Sequence, residues 1–275
     1  MLSTLKLLTA TLLLSSTVYA SQNSDIEDFI EEKFGNNPNI TSLDAKVVDR
    51  VPLKDLKGWD GVIVEVSANI KAKPKNREVK QKMIWFTNGK VITKEFNDLE
   101  TGLSLADEVA PSFDAKYYTD EKLIYGNKNA KHKVVIFSDP LCPFCKRYVP
   151  DAIKYMKKYP EKFALYYFHF PLDAIHPASV TLTQAAVVAE QEGVKDVILK
   201  LYNVKIGARE KNKQKILDAF NKVMHTDIKL SQLKDAQKVV KEDADIATDL
   251  MVQGTPTIFF DGKIDKTKKL YKEAK

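Results

Sequence analysis

The chain carries two cysteines, Cys142 and Cys145, spaced C-x-x-C. An apolar run from Val134 to Phe137 precedes them and predicts a strand, and a helical pattern follows them. This order places Cys142 just before the first turn of a helix, where unpaired backbone N–H groups and the helix dipole stabilise an anion. A thiolate is the species that attacks disulfides. We therefore predict a redox-active dithiol, with Cys142 as the nucleophile and Cys145 as the resolving thiol.

Two other roles for paired cysteines fit the sequence less well. A structural bond between neighbours so close would remove little entropy from the unfolded chain, and a chain of 275 residues can bury a sufficient core without it. Structural zinc needs four ligands, and the histidines form no pair at ligand spacing. No metal and no cofactor are predicted. The histidines are His132, His169, His176 and His225.

The N-terminal segment predicts export. Lys6 supplies a positive charge, a mostly apolar stretch runs from Leu7 to Leu14, and small residues end the segment at Ala20. The apolar run is too short to span a bilayer. We expect residues 1–20 to be a signal peptide cleaved after Ala20, with a short buried helix as the alternative. The mature protein is then expected in a bacterial periplasm.

Charge indicates little about partners. The formal net charge is +6 and the sequence pI is about 8.9, mainly from scattered lysines. No basic cluster lies beside aromatic residues, so the lysines are interpreted as solvated helix faces and no nucleic acid is expected as a partner.

The first part of the mature chain predicts a small α+β domain. A helical pattern covers residues 25–34, and strand-like runs follow at 61–66, 79–86 and 91–96. The last two runs are joined by Asn88-Gly89, a strong hairpin signal. We expect this domain to cover residues 21–105, without a catalytic cluster, and residues 106–130 to form a linker.

The remaining residues, 131–275, predict a second domain built around the cysteines. Pro143 suits the first position of the helix after Cys142, and Pro150 is expected to kink that helix. A strand is predicted for 163–170 and helices for about 176–252. The turn Gly254-Thr255-Pro256-Thr257 then leads into a strand at 258–260.

This order of elements resembles the thioredoxin fold in its exported disulfide-bond (Dsb) branch. The run FSDPLCPFC, from Phe137 to Cys145, is similar to the active-site run of DsbG-type proteins, and the best match is the DsbC/DsbG-like group. The resemblance implies an α/β thioredoxin-like catalytic domain with a helical insertion at about 176–252. It also implies that the α+β domain before it dimerises the protein.

The resemblance further implies roles for residues around the cysteines. Pro256 would be the cis-proline that faces them, and the backbone of Thr255 would pair with an extended client chain. Pro143 and Phe144 offer no side-chain charge, so backbone N–H groups would stabilise the thiolate. Ile136 occupies a position where thioredoxin and DsbA-type enzymes place a buried acid; it is apolar, as in the isomerase group.

Three further polar residues near the motif are interpreted as structural rather than catalytic. Asp139 precedes Pro140, and this pair is interpreted as the start of a turn, with a direct catalytic role for Asp139 as the alternative. His169 and His176 are interpreted as residues at the ends of strands or helices rather than acid–base catalysts.

The predicted function is a periplasmic thiol:disulfide isomerase or reductase. Its clients would be exported proteins with cysteines, and its electrons would come from a DsbD-type membrane reductase. One alternative is an oxidase of the DsbA or DsbL type, recharged by a DsbB-type partner, since DsbL carries the same C-P-F-C. Others are a chaperone-type client-binding module with secondary redox activity, and rescue of sulfenylated cysteines. The residues leave the direction of electron flow open.

Overall fold

The structure is a computed structural model that describes residues 22–73 and 75–274. The signal peptide predicted for residues 1–20 lies outside the described residues. Within the described ranges, no helix combines the length and apolar character needed to cross a bilayer. The chain divides into two compact units, the first ending at Pro111 and the second covering Ser112–Lys275.

The first unit is a helix and an antiparallel sheet, as the sequence predicts. Helix α1 covers residues 22–35. Four strands follow in the order β1-β2-β3-β4, and a short helix α2 (Ala106–Val109) comes after them. The strands are β1 (Ile40–Pro52), β2 (Asp60–Ile70), β3 (Arg77–Thr87) and β4 (Ile92–Thr93).

Local signals identified most of this unit but not its longest strand. The Asn88-Gly89 hairpin is confirmed, because these residues join β3 to β4 and Gly89 has a φ of +83°. Strand β1 has no counterpart among the predicted runs. Its pairing with β2 shifts register between Ile40 and Ser42 and again between Val47 and Asp49. Such shifts break the two-residue alternation by which a strand is recognised.

Helix α1 packs on the sheet through one apolar face. Ile26 and Ile30, one helical turn apart, are buried in a cluster that includes Val62, Val64 and Trp85. This spacing explains why the helix was recognisable from its apolar pattern.

The second unit has a five-stranded mixed sheet in the order β5-β7-β6-β8-β9. Strand β6 runs parallel to β7 and antiparallel to β8, while β5 runs antiparallel to β7. The strands are β5 (Leu123–Gly126), β6 (His132–Ser138), β7 (Phe163–His169), β8 (Thr257–Phe260) and β9 (Lys263–Ile264).

Six helices accompany this sheet among the described residues. The region predicted as helical, 176–252, contains four of them, α4 to α7, so the helical insertion is confirmed. The helices are α3 (Pro143–Met156), α4 (Pro177–Gln191), α5 (Val197–Leu201), α6 (Lys213–Met224), α7 (Leu233–Asp249) and α8 (Leu270–Glu273). Helix α3 continues through Pro150.

The boundary between the units differs from the predicted one. The segment 106–130, expected as a linker, contributes β5 to the catalytic sheet, and the second unit begins at Ser112. Strand β5 has only four residues and is followed by turn residues. A strand this short carries too few alternating positions to stand out from a loop.

Alternate residues of β6 face two different cores. Val134 and Ile136 pack in the cluster that contains Cys145 and the buried side of α3. Val135 and Phe137 pack on the opposite face of the sheet with Phe259. Because both faces are covered, β6 is apolar almost throughout, and its carboxyl end delivers the motif that follows to the edge of a rigid sheet.

Gly126 provides a test of how β5 is held against β7. Its φ is +87°, and a Cβ added there would lie 1.8 Å from the carbonyl oxygen of Phe163. We expect Gly126→Ala to lower the free energy of unfolding by more than the roughly 1–2 kcal/mol that a left-handed backbone costs an L-residue. Urea denaturation with an unchanged m value measures it.

The matched control is Gly193→Ala. Gly193 also has a positive φ, +78°, but an added Cβ would meet nothing within 4 Å. This variant should lower the free energy of unfolding only by the cost of a left-handed backbone at an L-residue. Equal losses in the two variants would contradict the close approach of Gly126 to β7.

Candidate active site

Cys142 and Cys145 lie at the start of α3, directly after the carboxyl end of β6. Cys142 is the N-cap residue, with an extended backbone (φ −64°, ψ 125°), and Pro143 takes the first helical position. Proline fits there because the first helical N–H groups have no partner within the helix. Cys142 is 5% exposed and Cys145 is completely buried. Cys142 is therefore the thiol that a client disulfide can reach first.

The Thr255–Pro256 segment lies against Cys142. The Sγ of Cys142 donates a hydrogen bond to the carbonyl oxygen of Thr255 at 3.5 Å, and the Thr255–Pro256 peptide bond is cis. Sheet register brings these distant segments together. Because β6 and β8 are antiparallel and Phe137 is paired with Thr257, the start of β8 lies beside the end of β6.

Cys145 is held in an environment that disfavours its charged form. Burial raises the pKa of its thiol to about 12. The nearby charge of Cys142 acts in the same direction, while the hydroxyls of Ser138 and Thr255 and the backbone of Asp139 oppose the rise. Cys145 is therefore protonated at neutral pH and must lose its proton before it can act as a nucleophile.

Thr255 influences both cysteines. Its carbonyl accepts from Cys142, and its hydroxyl opposes the rise in the pKa of the Cys145 thiol. Thr255 Oγ1 is buried without a hydrogen-bond partner. A thiolate at Cys145 is an acceptor that this hydroxyl could satisfy.

The carboxylate of Asp139 is completely buried beneath the cysteines. It accepts five hydrogen bonds, from the backbone of the C-x-x-C turn, from the loop after β7 and from the start of α4. The donors are Leu141 N (2.7 Å), Cys142 N (3.2 Å), Leu172 N (2.8 Å), His176 Nδ1 (2.9 Å) and Ser179 Oγ (2.6 Å). The interpretation of Asp139 as a turn residue was correct but incomplete, because the same side chain also joins two other segments to the turn.

The two histidines near the motif have different surroundings. His176 is the N-cap residue of α4, and its ring is bonded to Asp139. His169 ends β7 and lines a separate cavity of about 360 Å³ with Lys122 and Asp243. Its backbone N–H donates to the Asp243 carboxylate at 2.9 Å, Lys122 forms an ion pair with the same carboxylate, and burial raises the pKa of Asp243. Only His176 thus belongs to the network around the cysteines.

The dipeptide between the cysteines faces outward. Phe144 is 64% exposed, and the guanidinium of Arg147 lies over its ring, 5.1 Å from the ring centre. A second cavity, of about 360 Å³, lies beside Thr255 and Pro256, and Ile264 forms part of its wall. The accessible surface around Cys142 therefore combines an aromatic ring, a cation and an open groove.

Several polar residues of the site were not predicted. Ser138 is hydrogen-bonded to Tyr202, and Ser179 donates to Asp139, which lies 40 positions away in the chain. Ser138 was detectable as the first polar residue after an apolar strand; Ser179 had no local signal. Within residues 22–73 and 75–274, no group of three or more metal-ligating side chains is arranged to hold a metal ion.

The fold and the site define a class of protein. A C-x-x-C pair at the start of a helix, beside a Thr–cis-Pro segment at the edge of a central mixed sheet, is the arrangement of a thiol:disulfide oxidoreductase. A family profile described as Thioredoxin matches residues 118–275. The match covers more than half of the chain. The chain therefore belongs to this family.

Solved structures similar to this chain include three bacterial proteins. The catalytic domain of Proteus mirabilis ScsC is 28% identical, covering 58% of this chain and 86% of that one, with a TM-score of 0.45. Oxidised BdbD from Bacillus subtilis is 22% identical (60% and 92%, TM-score 0.47). A periplasmic thioredoxin-like protein from Salmonella enterica serovar Typhimurium is 22% identical (55% and 84%, TM-score 0.45). No curated protein matches the chain.

Removing the Asp139 carboxylate should destabilise the second unit. Asp139→Ala leaves buried donors without an acceptor, so we expect a loss of about 3–5 kcal/mol in the free energy of unfolding. Asp139→Asn should lose nearly as much, because an amide NH₂ would then face groups that are themselves donors. Urea denaturation measures both losses.

The control for this experiment is Asp151→Ala on the exposed side of α3. It should change stability by no more than about 0.5 kcal/mol. An Asn variant as stable as the wild type would show that the network does not need a charged acceptor.

Proposed function

We propose that this protein is an exported thiol:disulfide isomerase or reductase, similar to the DsbC/DsbG-like group, that acts on disulfides of client proteins in the periplasm. The observation that carries the proposal is the 3.5 Å contact between Cys142 Sγ and the carbonyl oxygen of Thr255. It places the more exposed thiol beside a backbone segment that can pair with an extended client chain.

The first chemical step is attack by Cys142 as a thiolate. Its sulfur forms a bond with one sulfur of a client disulfide, the client S–S bond breaks, and the other client sulfur leaves as a thiolate that takes up a proton. Backbone N–H groups at the start of α3 favour the negative charge on Cys142 before attack. The product is a mixed disulfide between Cys142 and the client.

Two routes lead out of the mixed disulfide. In the reductive route, Cys145 loses its proton and attacks Cys142 Sγ, which releases the client thiolate and leaves the protein oxidised. In the isomerising route, a thiolate of the client attacks its own mixed disulfide and releases Cys142 unchanged. Burial raises the pKa of Cys145 to about 12, which slows the first route because little thiolate is present near neutral pH. A slow resolving thiol favours isomerisation.

Two residues near the cysteines support this direction. Ile136 is completely buried with Cys145, in the position where thioredoxin and DsbA-type enzymes place an acid. Phe144, in the dipeptide, has no donor or charge to stabilise a thiolate. Its exposed ring is suited to an apolar client segment.

The specific observation in favour of an oxidase is the C-P-F-C sequence itself together with the α4–α7 insertion. Both features are compatible with a DsbA-like or DsbL-like protein that donates its disulfide. The chemistry at the cysteines is the same in reverse, and the two functions differ in the membrane partner that resets the dithiol. We propose a DsbD-type reductase as that partner.

The first unit supplies a surface for a second copy. It exposes five large apolar side chains, namely Phe29, Val48, Val91, Leu99 and Leu103. The edge of β1 is partly covered, since Glu31 and Glu27 of α1 accept hydrogen bonds from the backbone N–H groups of Ala45 and Val47. We propose that exposed apolar side chains of this unit, rather than strand pairing at this edge, form the dimer contact.

The direction of electron flow can be measured in cells. We expect Cys142 and Cys145 to be mostly reduced, because a reductive partner would keep them ready to attack client disulfides. Acid quenching, thiol alkylation and a gel shift report the fraction reduced. The variant Cys142→Ala/Cys145→Ala marks the unshifted band, and a mostly oxidised wild type would assign the protein to the oxidases.

The dimer is tested by sedimentation of the mature chain. The wild type should sediment as a dimer at micromolar concentration, and Leu99→Glu/Leu103→Glu should shift it to a monomer, because buried charges oppose an apolar contact. Ile175→Glu, a change at an exposed apolar residue of the second unit, is the control and should leave the dimer intact. A monomeric wild type would contradict the proposal.

A further inference from the structure

A chain of buried hydroxyl groups ends beside Cys145. The hydroxyl of Ser138, which acts on the Cys145 side chain, lies 2.7 Å from the hydroxyl of Tyr202. That hydroxyl in turn lies 2.9 Å from the hydroxyl of Tyr167. Ser138, Tyr167 and Tyr202 are all buried. The three hydroxyl groups form a continuous hydrogen-bonded path, and the two tyrosines belong to the apolar cluster that contains Cys145.

The three hydroxyls come from separate parts of the second unit. Ser138 ends β6, Tyr167 lies in β7, and Tyr202 directly follows α5. Tyr167 is paired with Ile136 in the parallel ladder, so its ring lies on the same face of the sheet as Cys145. Burying hydroxyl groups is unfavourable unless they are hydrogen-bonded. Each of these hydroxyls is hydrogen-bonded to another of the three.

We propose that Ser138, Tyr202 and Tyr167 form a chain of hydrogen-bond donors that stabilises the thiolate of Cys145 while it resolves the mixed disulfide. In this proposal Ser138 is the donor to the reacting sulfur, while Tyr202 and Tyr167 are positioning residues that act through it. The inference rests on the dithiol chemistry proposed above and holds for either direction of electron flow in the cell.

The step that the chain would assist is balanced as follows. The thiol of Cys145 gives its proton to water and becomes a thiolate. This thiolate forms a bond to Cys142 Sγ, and the bond between Cys142 and the client sulfur breaks. The client sulfur leaves with the electron pair as a thiolate. The charge on Cys145 exists only before and during attack, so donors aimed at its sulfur lower the barrier to this step.

The tyrosines are suited to donate rather than to accept a proton. Burial raises the pKa of Tyr167 and of Tyr202 above the ordinary value, so both keep their O–H groups at any pH where the enzyme works. Tyr167 can donate to Tyr202, Tyr202 to Ser138, and Ser138 to the sulfur. Each bond polarises the next in a low-dielectric site.

The other groups that act on Cys145 are few. Cys142 and Tyr167 carry the titratable side chains, Asp139 contributes through its backbone, and Thr255 contributes a hydroxyl from the turn before β8. Tyr202 completes the set from the end of α5. Apart from this hydroxyl of Thr255, the hydroxyl chain is the source of side-chain donors at this sulfur among the described residues.

The test is the reaction of the reduced full chain with Ellman's reagent. Attack by Cys142 releases one thionitrobenzoate, and resolution by Cys145 releases a second, so the two steps appear as two phases. We expect Tyr202→Phe to slow the second phase by about threefold to tenfold, the effect of one lost hydrogen bond between neutral groups. The first phase should keep its rate. The pH profile of the second phase should be displaced to higher pH.

The slowing of the second phase should depend on how close the removed hydroxyl is to the sulfur along the row of hydroxyl groups. Ser138→Ala should slow resolution at least as much as Tyr202→Phe, and Tyr167→Phe should slow it less, since it removes only the last donor. If Tyr202→Phe fails to fold, the other two variants carry the test. A structural fault would lower both phases together without displacing the pH profile.

Tyr125→Phe is the matched control. It removes a half-buried hydroxyl that bonds to Asp196 at 2.7 Å in the same unit, away from the cysteines. An equal slowing in this control, or an unchanged second phase in Ser138→Ala and Tyr202→Phe, would overturn the inference. Failure of the proposed function shows differently, as the absence of both phases in the wild type or as a mostly oxidised dithiol in cells.

Discussion

The active site depends on one buried carboxylate. Asp139 lies beneath the C-x-x-C turn with no solvent exposure, and its hydrogen bonds reach the N–H of Cys142, the loop after β7 and the first turn of α4. A buried charge is tolerated only when its acceptor positions are filled. The requirement is mutual, because the backbone donors would otherwise be unsatisfied as well. The position of the cysteines therefore depends on a network in which the loss of the carboxylate leaves all of its donors without an acceptor.

The two thiols differ in burial, and this difference gives them different chemical roles. Both cysteines belong to one apolar cluster, but Cys142, at the start of α3, keeps 5% of its surface exposed, whereas Cys145 is completely buried. Burial opposes charge on Cys145, and the hydroxyls of Ser138 and Thr255 partly offset that effect. A dithiol built in this way has a ready nucleophile and a reluctant resolving thiol. In the proposed isomerase, that difference would give a mixed disulfide time to rearrange.

Strand pairing brings the two segments of the active site together. The residues that contact Cys142 come from its own turn and from the segment at Thr255, which are joined by the antiparallel register of β6 and β8. The helices α4 to α7 lie between these strands in the chain. They add Tyr202 and Ser179 to the site without separating its two halves, because the sheet fixes where each strand begins and ends.

Local pattern was enough to determine the dithiol at the start of a helix and the hairpin at Asn88-Gly89, because each depends on residues within a few positions of one another. The thioredoxin-like fold and its helical insertion were expected from a family resemblance in the order of elements along residues 131–275. Strand β1, the early start of the second unit and the partners of Asp139 were decided only by tertiary structure. They depend on register shifts and on hydrogen bonds between residues up to 40 positions apart. Asp139 becomes buried, and joins the turn to other segments, only when α4 packs against it.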